Sequence, residues 1–553
     1  MRVIPRSHTI LLIIHYRFFR DTFVWLTIDR VEQLNQRVDI LKNLKLLPGE
    51  RVLDIVFHEP REFEHVPSSL QQIMRLTRST HPHEIGENGP SVASLAFDVS
   101  VQTSVPEGHS PLEEHEETDD QAPEHLRLYE VLFGRDSLRV AIDLISSYPQ
   151  LARVTTLKLA ELQGTRYNQE REEEPGRIVH EARDQDDPIA QDLSERLGWG
   201  WPYYGSVDAT PEFIRTLTAY CRRTEENLGL LSSEYIDKNN ERKSMAYAMD
   251  MAIEWILARL DNNPEGVLEF KSVLEKGIEN QVWKDSWDAY HHSDGRLANH
   301  ENGIASIEVQ VTTYDALLDA ADLYENVLDD NEKAVNLRER ADQLRLVILN
   351  KFWTDDKGGY FVLGTDRNDD GELQQMKIRT SNMGHVLNSR LLEGDEPGIV
   401  HKRSAIVRHI LSPEMLNSSG IRTLASDELR FRPGAYHNGS VWLWDTHHIA
   451  KGLRRHGYKI EADDLDARLL GIVEATKIFP EYVRGDNKDT PSINTATIIL
   501  WDDVHQRENK LEQPPQEVQA WTVAAILAIK KRLARTYLPI EGIIRPPDSI
   551  LEP

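Results

Sequence analysis

From Leu126 to about Tyr537 the chain reads as one amphipathic helix after another, and nothing else in it constrains the fold as strongly. Apolar residues recur at three- and four-residue steps through SLRVAIDLISSY, LARVTTLKLAELQ, FIRTLTAYCRR, AYAMDMAIEWILARL, VQVTTYDALLDAADLYENV and EKAVNLRERADQLRLVILNKF. The same period continues through NMGHVLNSRLL, HKRSAIVRHIL, VWLWDTHHIAKGLRRHG, DDLDARLLGIVEATKIF and QEVQAWTVAAILAIKKRL, which makes about eleven helices. Asp136 is placed to cap the first of them, and Thr210-Pro211-Glu212 reads as a cap, a proline at the first helical position and an early acid. Strand-like runs such as GGYFVLG are short. No period of 34–47 residues repeats, which counts against a helical solenoid. Alternate connections are long and rich in Gly, Trp, Tyr, His and Asn, as loops that converge on one site would be. The expected class is all-α, a double ring of about twelve helices.

Residues 1–125 have a different character, with short apolar runs, no sustained helical period, and an acidic, proline-bearing stretch from Pro106 to Glu124 that reads as a linker. The expected division is an N-terminal extension over 1–125 and one helical domain over 126–540. The apolar run Ile10–Ile14 is too short for a membrane span and makes a poor signal peptide, so a cytoplasmic location is expected.

A net charge of −27 disfavours nucleic acid and anionic membrane as partners, while a neutral sugar is indifferent to it. The single cysteine, Cys221, excludes an intramolecular disulfide and reads as a packed thiol. His291 and His292 are adjacent, with no HExxH or DxDxDG pattern anywhere, and Gly134 and Gly205 form no nucleotide-binding loop; no metal and no cofactor is expected.

The chemistry-bearing stretch is Trp283-Lys284-Asp285-Ser286-Trp287-Asp288-Ala289-Tyr290, two carboxylates set between two tryptophans. An indole face stacks on the C–H face of a pyranose, and an acid beside it finds a dry pocket that raises its pKa. By themselves these residues fit a helix-start turn with solvated aspartates equally well; the other polar-aromatic clusters tip the reading toward a sugar site.

Several motifs together resemble the glucosidase domain of glycogen debranching enzymes (amylo-α-1,6-glucosidase), one of a clan of six-hairpin α/α toroid glycosidases. They are Phe133-Gly134-Arg135-Asp136-Ser137-Leu138, Glu174-Pro175-Gly176-Arg177-Ile178-Val179-His180-Glu181, Tyr203-Tyr204-Gly205-Ser206-Val207-Asp208-Ala209-Thr210-Pro211, the WKDSWDA segment, Glu308-Val309-Gln310, Gly420-Ile421-Arg422-Thr423-Leu424, Tyr436-His437-Asn438-Gly439-Ser440-Val441-Trp442, Pro480-Glu481-Tyr482 and Gln519-Ala520-Trp521. They occur in the family's order and cover residues 126 to about 535. Three features depart from it: no β-sandwich is recognisable in the first 125 residues, Asn494–Pro515 intervenes before Gln-Ala-Trp, and the glucanotransferase half of the eukaryotic enzyme is absent. The resemblance implies an (α/α)6 toroid and an inverting hydrolysis of α-glucosidic bonds by two carboxylates. It makes Asp285 or Asp288 the acid and Glu481 the base, about 6.5–9.5 Å apart to admit a water. Asp285 is preferred as the acid, protonated near neutral pH beside its tryptophans, with Glu481 ionised. Arg135 and Asp136 then form a clamp for vicinal hydroxyls, while Tyr203, Tyr204, Asp208, Trp283, Trp287, Gln310, His437, Asn438 and Trp442 supply stacking faces and hydrogen bonds to the substrate. His447 and His448 read as structural. The substrate is an oligosaccharide, or a small glucoside of the sucrose, trehalose or glucosylglycerate kind. A non-catalytic carbohydrate-binding toroid is the remaining alternative.

Overall fold

The computed structural model describes residues 131–486 and 515–537, with short strand segments outside these ranges. The chain forms two compact units, residues 1–132 with 182–190 and residues 133–181 with 191–553. The expectations for the extension 1–125 and for most of the segment Asn494–Pro515 fall outside the described residues.

The second unit is dominated by helices. In chain order the helices are α1 (Gly134–Leu144), α2 (Pro149–Glu161), α3 (Pro188–Leu197), α4 (Ala209–Cys221), α5 (Met245–Asn262), α6 (Ile307–Asn326), α7 (Asn331–Lys351), α8 (Asn382–His385), α9 (Pro397–Ile410), α10 (Leu443–Arg455), α11 (Lys459–Thr476) and α12 (Ala520–Tyr537). Six of them follow one another in a closed cycle of packing: α1 on α4, α4 on α6, α6 on α8, α8 on α10, α10 on α12, and α12 back on α1. The helices between them pack outside that cycle, α2 on α1 and α4, α5 on α4, α7 on α6, α9 on α8 and α11 on α10. The amphipathic stripes explain the arrangement. A helix of the cycle is enclosed on several sides and is buried along most of its length, as α4 and α6 are, whereas α7 buries only Ala334, Leu337, Ala341, Leu344 and Ile348. One apolar core joins α10, α11 and α12 through Leu443, Leu469, Ile472, Ile526 and Ile529.

Three boundaries differ from the sequence expectation. Asp136 does not cap α1, whose N-cap is Phe133 without a side-chain hydrogen bond. Thr210 lies inside α4, and its hydroxyl accepts the Ile178 N–H at 3.0 Å. The run NMGHVLNSRLL gives only the one-turn α8 and two 3-10 turns. There Ser389 accepts the Leu391 N–H while it and the Arg390 N–H bond Asp315, so side-chain partners compete with helix continuation. Helix α3 was not legible, its stretch being short and polar.

The strands are short staples between loops. β1 (Val441–Trp442) pairs antiparallel with β2 (Tyr482–Val483), in the register Val441↔Val483 and Trp442↔Tyr482. Gly485 approaches the Gly439 carbonyl so closely that an added Cβ would lie 1.8 Å from its oxygen. These two contacts lock the loop before α10 onto the loop after α11.

Candidate active site

The motif residues gather because they occupy corresponding positions. Arg135 and Asp136 open α1, Asp208 immediately precedes α4, Glu308 opens α6, Asn382 opens α8, Trp444 opens α10 and Trp521 opens α12. A cavity is lined by Arg135, Asp208, Trp283, Glu308, His385, Trp444 and Trp521 among others, with neither Asp285 nor Glu481 in its lining, so the helix N-termini that carry these residues meet at one place. N-terminal ends carry partial positive charge and unsatisfied N–H groups, a setting that tolerates several carboxylates.

The loop between α5 and α6 delivers the WKDSWDA stretch. Gln281 O accepts the Val207 N–H at 2.9 Å, the buried Lys284 ammonium donates to Thr423 O at 2.7 Å, and Ser286 N–H donates to His437 Nδ1 at 3.3 Å. Asn438 Nδ2 donates to Asp288 O at 2.9 Å. Trp283 is wedged edge-on against His437, Trp442 and Trp444 at ring distances of 5.4, 5.8 and 4.9 Å. Because Ser286 N–H donates to Nδ1 of His437, the ring proton sits on Nε2; burial, with Lys284 and Arg135 nearby, keeps the ring neutral.

The two candidate acids face different neighbours. Arg135 Nε donates to Asp208 at 2.6 Å, and Arg135 Nη1 lies 4.0 Å from Asp285. Burial raises Asp285 to about 6 against the pull of Arg135, with Asp208 pushing the same way as burial. Asp288 is also raised by burial, and Asn438, Arg430, Ser286 and Arg432 oppose it. Arg430 donates to Gly295 O at 2.7 Å, and neither arginine closes to an ion pair with Asp288.

Glu481 is brought to the same place from the far end of the chain, 3% exposed. Tyr436 donates to its Oε1 at 2.6 Å, and the Gln516 N–H donates to its Oε2 at 3.2 Å. Burial raises it to about 7; the two hydrogen bonds oppose this and Asp285 reinforces it. Asp136 is likewise raised to about 7, by burial against the pull of Arg135 and then by Asp285, Asp208 and Glu481. Asp285, Asp136 and Glu481 therefore share one electrostatic site. The ordering differs from the sequence expectation: Glu481, not Asp285, is raised further, because Arg135 holds Asp285 down while no cation among the described residues offsets the burial of Glu481.

Five buried donors around this site have no hydrogen-bond partner among the described residues: Arg135 Nη2, His437 Nε2 and the indole nitrogens of Trp283, Trp287 and Trp444. Buried donors are ordinarily satisfied, so a cluster of free ones suits a ligand rich in hydroxyl oxygens.

Three expected substrate contacts are corrected by the structure. Tyr203 is fully buried, stacks on Trp199 at 4.3 Å, donates to Glu172 and accepts the Ile278 N–H. Tyr204, equally buried, donates to Leu162 O at 2.6 Å and accepts from Lys238. Gln310 spends both ends of its amide on Leu268 and Ser306 backbone. All three brace loops and present nothing to the cavity. Trp442 is buried at 2% exposure, with its indole N–H donated to Tyr436 O, and stacks on His437 at 5.2 Å, so it supports the pocket from behind. His448 accepts from Arg139 and so has a structural partner, as expected. Sequence reading missed Lys284, His385, Tyr436, Trp444 and Trp521; a tryptophan in the first turn of each of two helices was the available signal.

Residues 243–490 match the family model described as the mannosylglycerate hydrolase MGH1-like glycoside hydrolase domain. No curated protein matches the chain. Among solved structures, the GH63 mannosylglycerate hydrolase from Thermus thermophilus in complex with glucose is similar at 14% identity and a TM-score of 0.48, covering 73% of this chain and 94% of that one. The same enzyme in complex with Tris gives 14% identity, a TM-score of 0.41 and the same coverage. The matched family is one of glycoside hydrolases, and the middle of the chain is therefore similar to a glycoside hydrolase domain.

Proposed function

We propose that the chain is an inverting glycoside hydrolase of small glycosides, built on an (α/α)6 toroid over residues 126–540 that follows an extension over 1–125. The observation that carries the reading is the pair Asp285 and Glu481, far apart in sequence, of which the half-buried Asp285 repels the charge of the buried Glu481. Both carboxyls are raised, to about 6 and about 7, into the range where proton transfer serves catalysis near neutrality; the single displacement requires the proton on Asp285 and the charge on Glu481 once substrate is bound.

In this mechanism Asp285 protonates the glycosidic oxygen as its bond to the anomeric carbon breaks, and the aglycone leaves as an alcohol. Glu481 takes a proton from the water whose oxygen forms the new bond on the opposite face, giving inversion in a single displacement. Arg135, fixed by Asp208, steadies the Asp285 carboxylate after it has given up its proton and offers a free N–H to a sugar hydroxyl. Asp288, displaced toward Arg430 and Arg432, takes no proton-transfer role.

The two arginines also bear on the substrate. In a chain of net charge −27 they stand beside the site without a carboxylate partner of their own among the described residues, which suits an aglycone bearing an acid group. A glycosylglycerate has that chemistry, in keeping with the family whose model matches. The test is to incubate the protein with mannosylglycerate, glucosylglycerate, sucrose, trehalose and an α-1,6-linked oligosaccharide and follow product anomers by NMR. Inverted sugar from a glycosylglycerate is expected. Retention of configuration refutes the mechanism; turnover only on the α-1,6 oligosaccharide returns the debranching reading, and none on any of them returns the non-catalytic toroid.

A further inference from the structure

We propose that Tyr436 is the positioning residue of Glu481: its hydroxyl holds the carboxyl in place and stabilises the ionised form that accepts a proton. The inference rests on the proposed hydrolase reading for its catalytic meaning, but its geometry stands alone. Tyr436 Oη donates to Glu481 Oε1 at 2.6 Å, short for a neutral pair and ordinary for a hydroxyl on a carboxylate. The tyrosine ring is itself fixed, lying 4.9 Å from Trp442 and 5.2 Å from Tyr482 in edge-on contacts. The β1–β2 pairing sets this distance, because it registers the loop carrying Tyr436 against the strand that begins one residue after Glu481.

The other groups facing Glu481 do not favour its charge as Tyr436 does. Asp285, from the loop before α6, repels it, and Asp136 from α1 shares the same repulsion. His437, packed against Tyr436, is neutral, and Gln516 contributes one backbone N–H at the longer distance of 3.2 Å. Tyr436 is therefore the main stabilising contact of a carboxylate that burial drives toward its protonated form. A charge-assisted hydrogen bond of this kind holds a carboxyl about one to two pH units lower than it would otherwise titrate.

The test is an infrared titration of the full chain labelled with carboxyl-¹³C glutamate, with the Glu481 band identified by its loss in E481Q. In Y436F the Glu481 midpoint moves up by about one to two pH units, and the acid limb of kcat follows while KM changes less than about twofold. Incorporation of 3-fluorotyrosine, whose phenol is the stronger donor, moves the midpoint down, and this measurement needs no mutant fold. An unmoved titration with either perturbation overturns the inference, even if the wild type hydrolyses glycosides. A moved titration in a protein that cleaves no glycoside keeps the Tyr436–Glu481 coupling and overturns the hydrolase reading instead. A loss of kcat equal at all pH values, with the midpoint unchanged, marks Tyr436 as merely structural.

Discussion

Replacing Glu481 by glutamine should make the protein more stable as it makes it less active. The carboxyl rises from its ordinary 4.5 to about 7 in the folded state, chiefly because it is 3% exposed and faces Asp285. The folded protein therefore keeps this proton up to about pH 7, while the unfolded chain releases it near 4.5. Stability from this group is complete below about pH 4.5 and is lost as the pH rises through 7. At about 1.4 kcal/mol for each tenfold change, ionised Glu481 destabilises the fold by about 3 kcal/mol at pH 8. Glutamine removes the charge and keeps the contacts, since its carbonyl can accept the Gln516 N–H while its amide donates to Tyr436, whose hydroxyl then accepts. Urea denaturation from pH 5 to pH 8 should show E481Q and wild type converging at the acid end, with the variant ahead by about 3 kcal/mol at pH 8. A stability difference independent of pH, or a wild type ahead at pH 8, refutes the argument that Glu481 is held in a desolvated, repulsive position.

Asp285→Asn should cut turnover by about 10²–10⁴-fold on glycosides with alcohol leaving groups and much less on glycosyl fluorides, as steady-state rates on both will show; equal losses would exclude Asp285 as the acid. Asp288→Asn should leave the shape of the pH–rate profile unchanged. R432A should raise KM for a glycosylglycerate by about tenfold, an effect that salt reduces, while KM for a neutral glucoside stays the same. G485A should lower both the melting temperature and kcat, because a Cβ 1.8 Å from the Gly439 oxygen must push apart the loops that carry Tyr436 and Glu481.

Most of the helices were legible in order because each carries its own apolar stripe, a local signal that survives in one dimension; α3 was not, and the run NMGHVLNSRLL promised more helix than its side-chain partners allow. Asp285 drew notice because it stands between two tryptophans, whereas Glu481 was singled out chiefly by the family resemblance. What could not be read was direction. Tyr203, Tyr204 and Gln310 look like sugar-binding residues by type, yet their polar atoms are consumed by Glu172, Leu162, Lys238 and Leu268, partners that only the packed loops bring within reach. Thr210, expected to cap α4, accepts the Ile178 N–H instead, and Asp208, expected at the substrate, holds Arg135. Trp444 was given no role, and Trp521 was quoted only as part of the Gln-Ala-Trp motif.

Helices with long polar-aromatic connections follow from the local pattern of the chain, as do the carboxylates, the arginine and the tryptophans of the proposed sugar site. Only the tertiary structure decided how those groups act on one another. Asp285 and Asp288 are alike in sequence, three residues apart beside the same tryptophans; they differ because one folds against Arg135 and the other toward Arg430 and Arg432. Glu481 has an ordinary carboxyl until α12 returns to α1 and buries it beside Asp285. A pKa depends on the field of every neighbour and on the water excluded, and both are set by contacts between residues hundreds of positions apart.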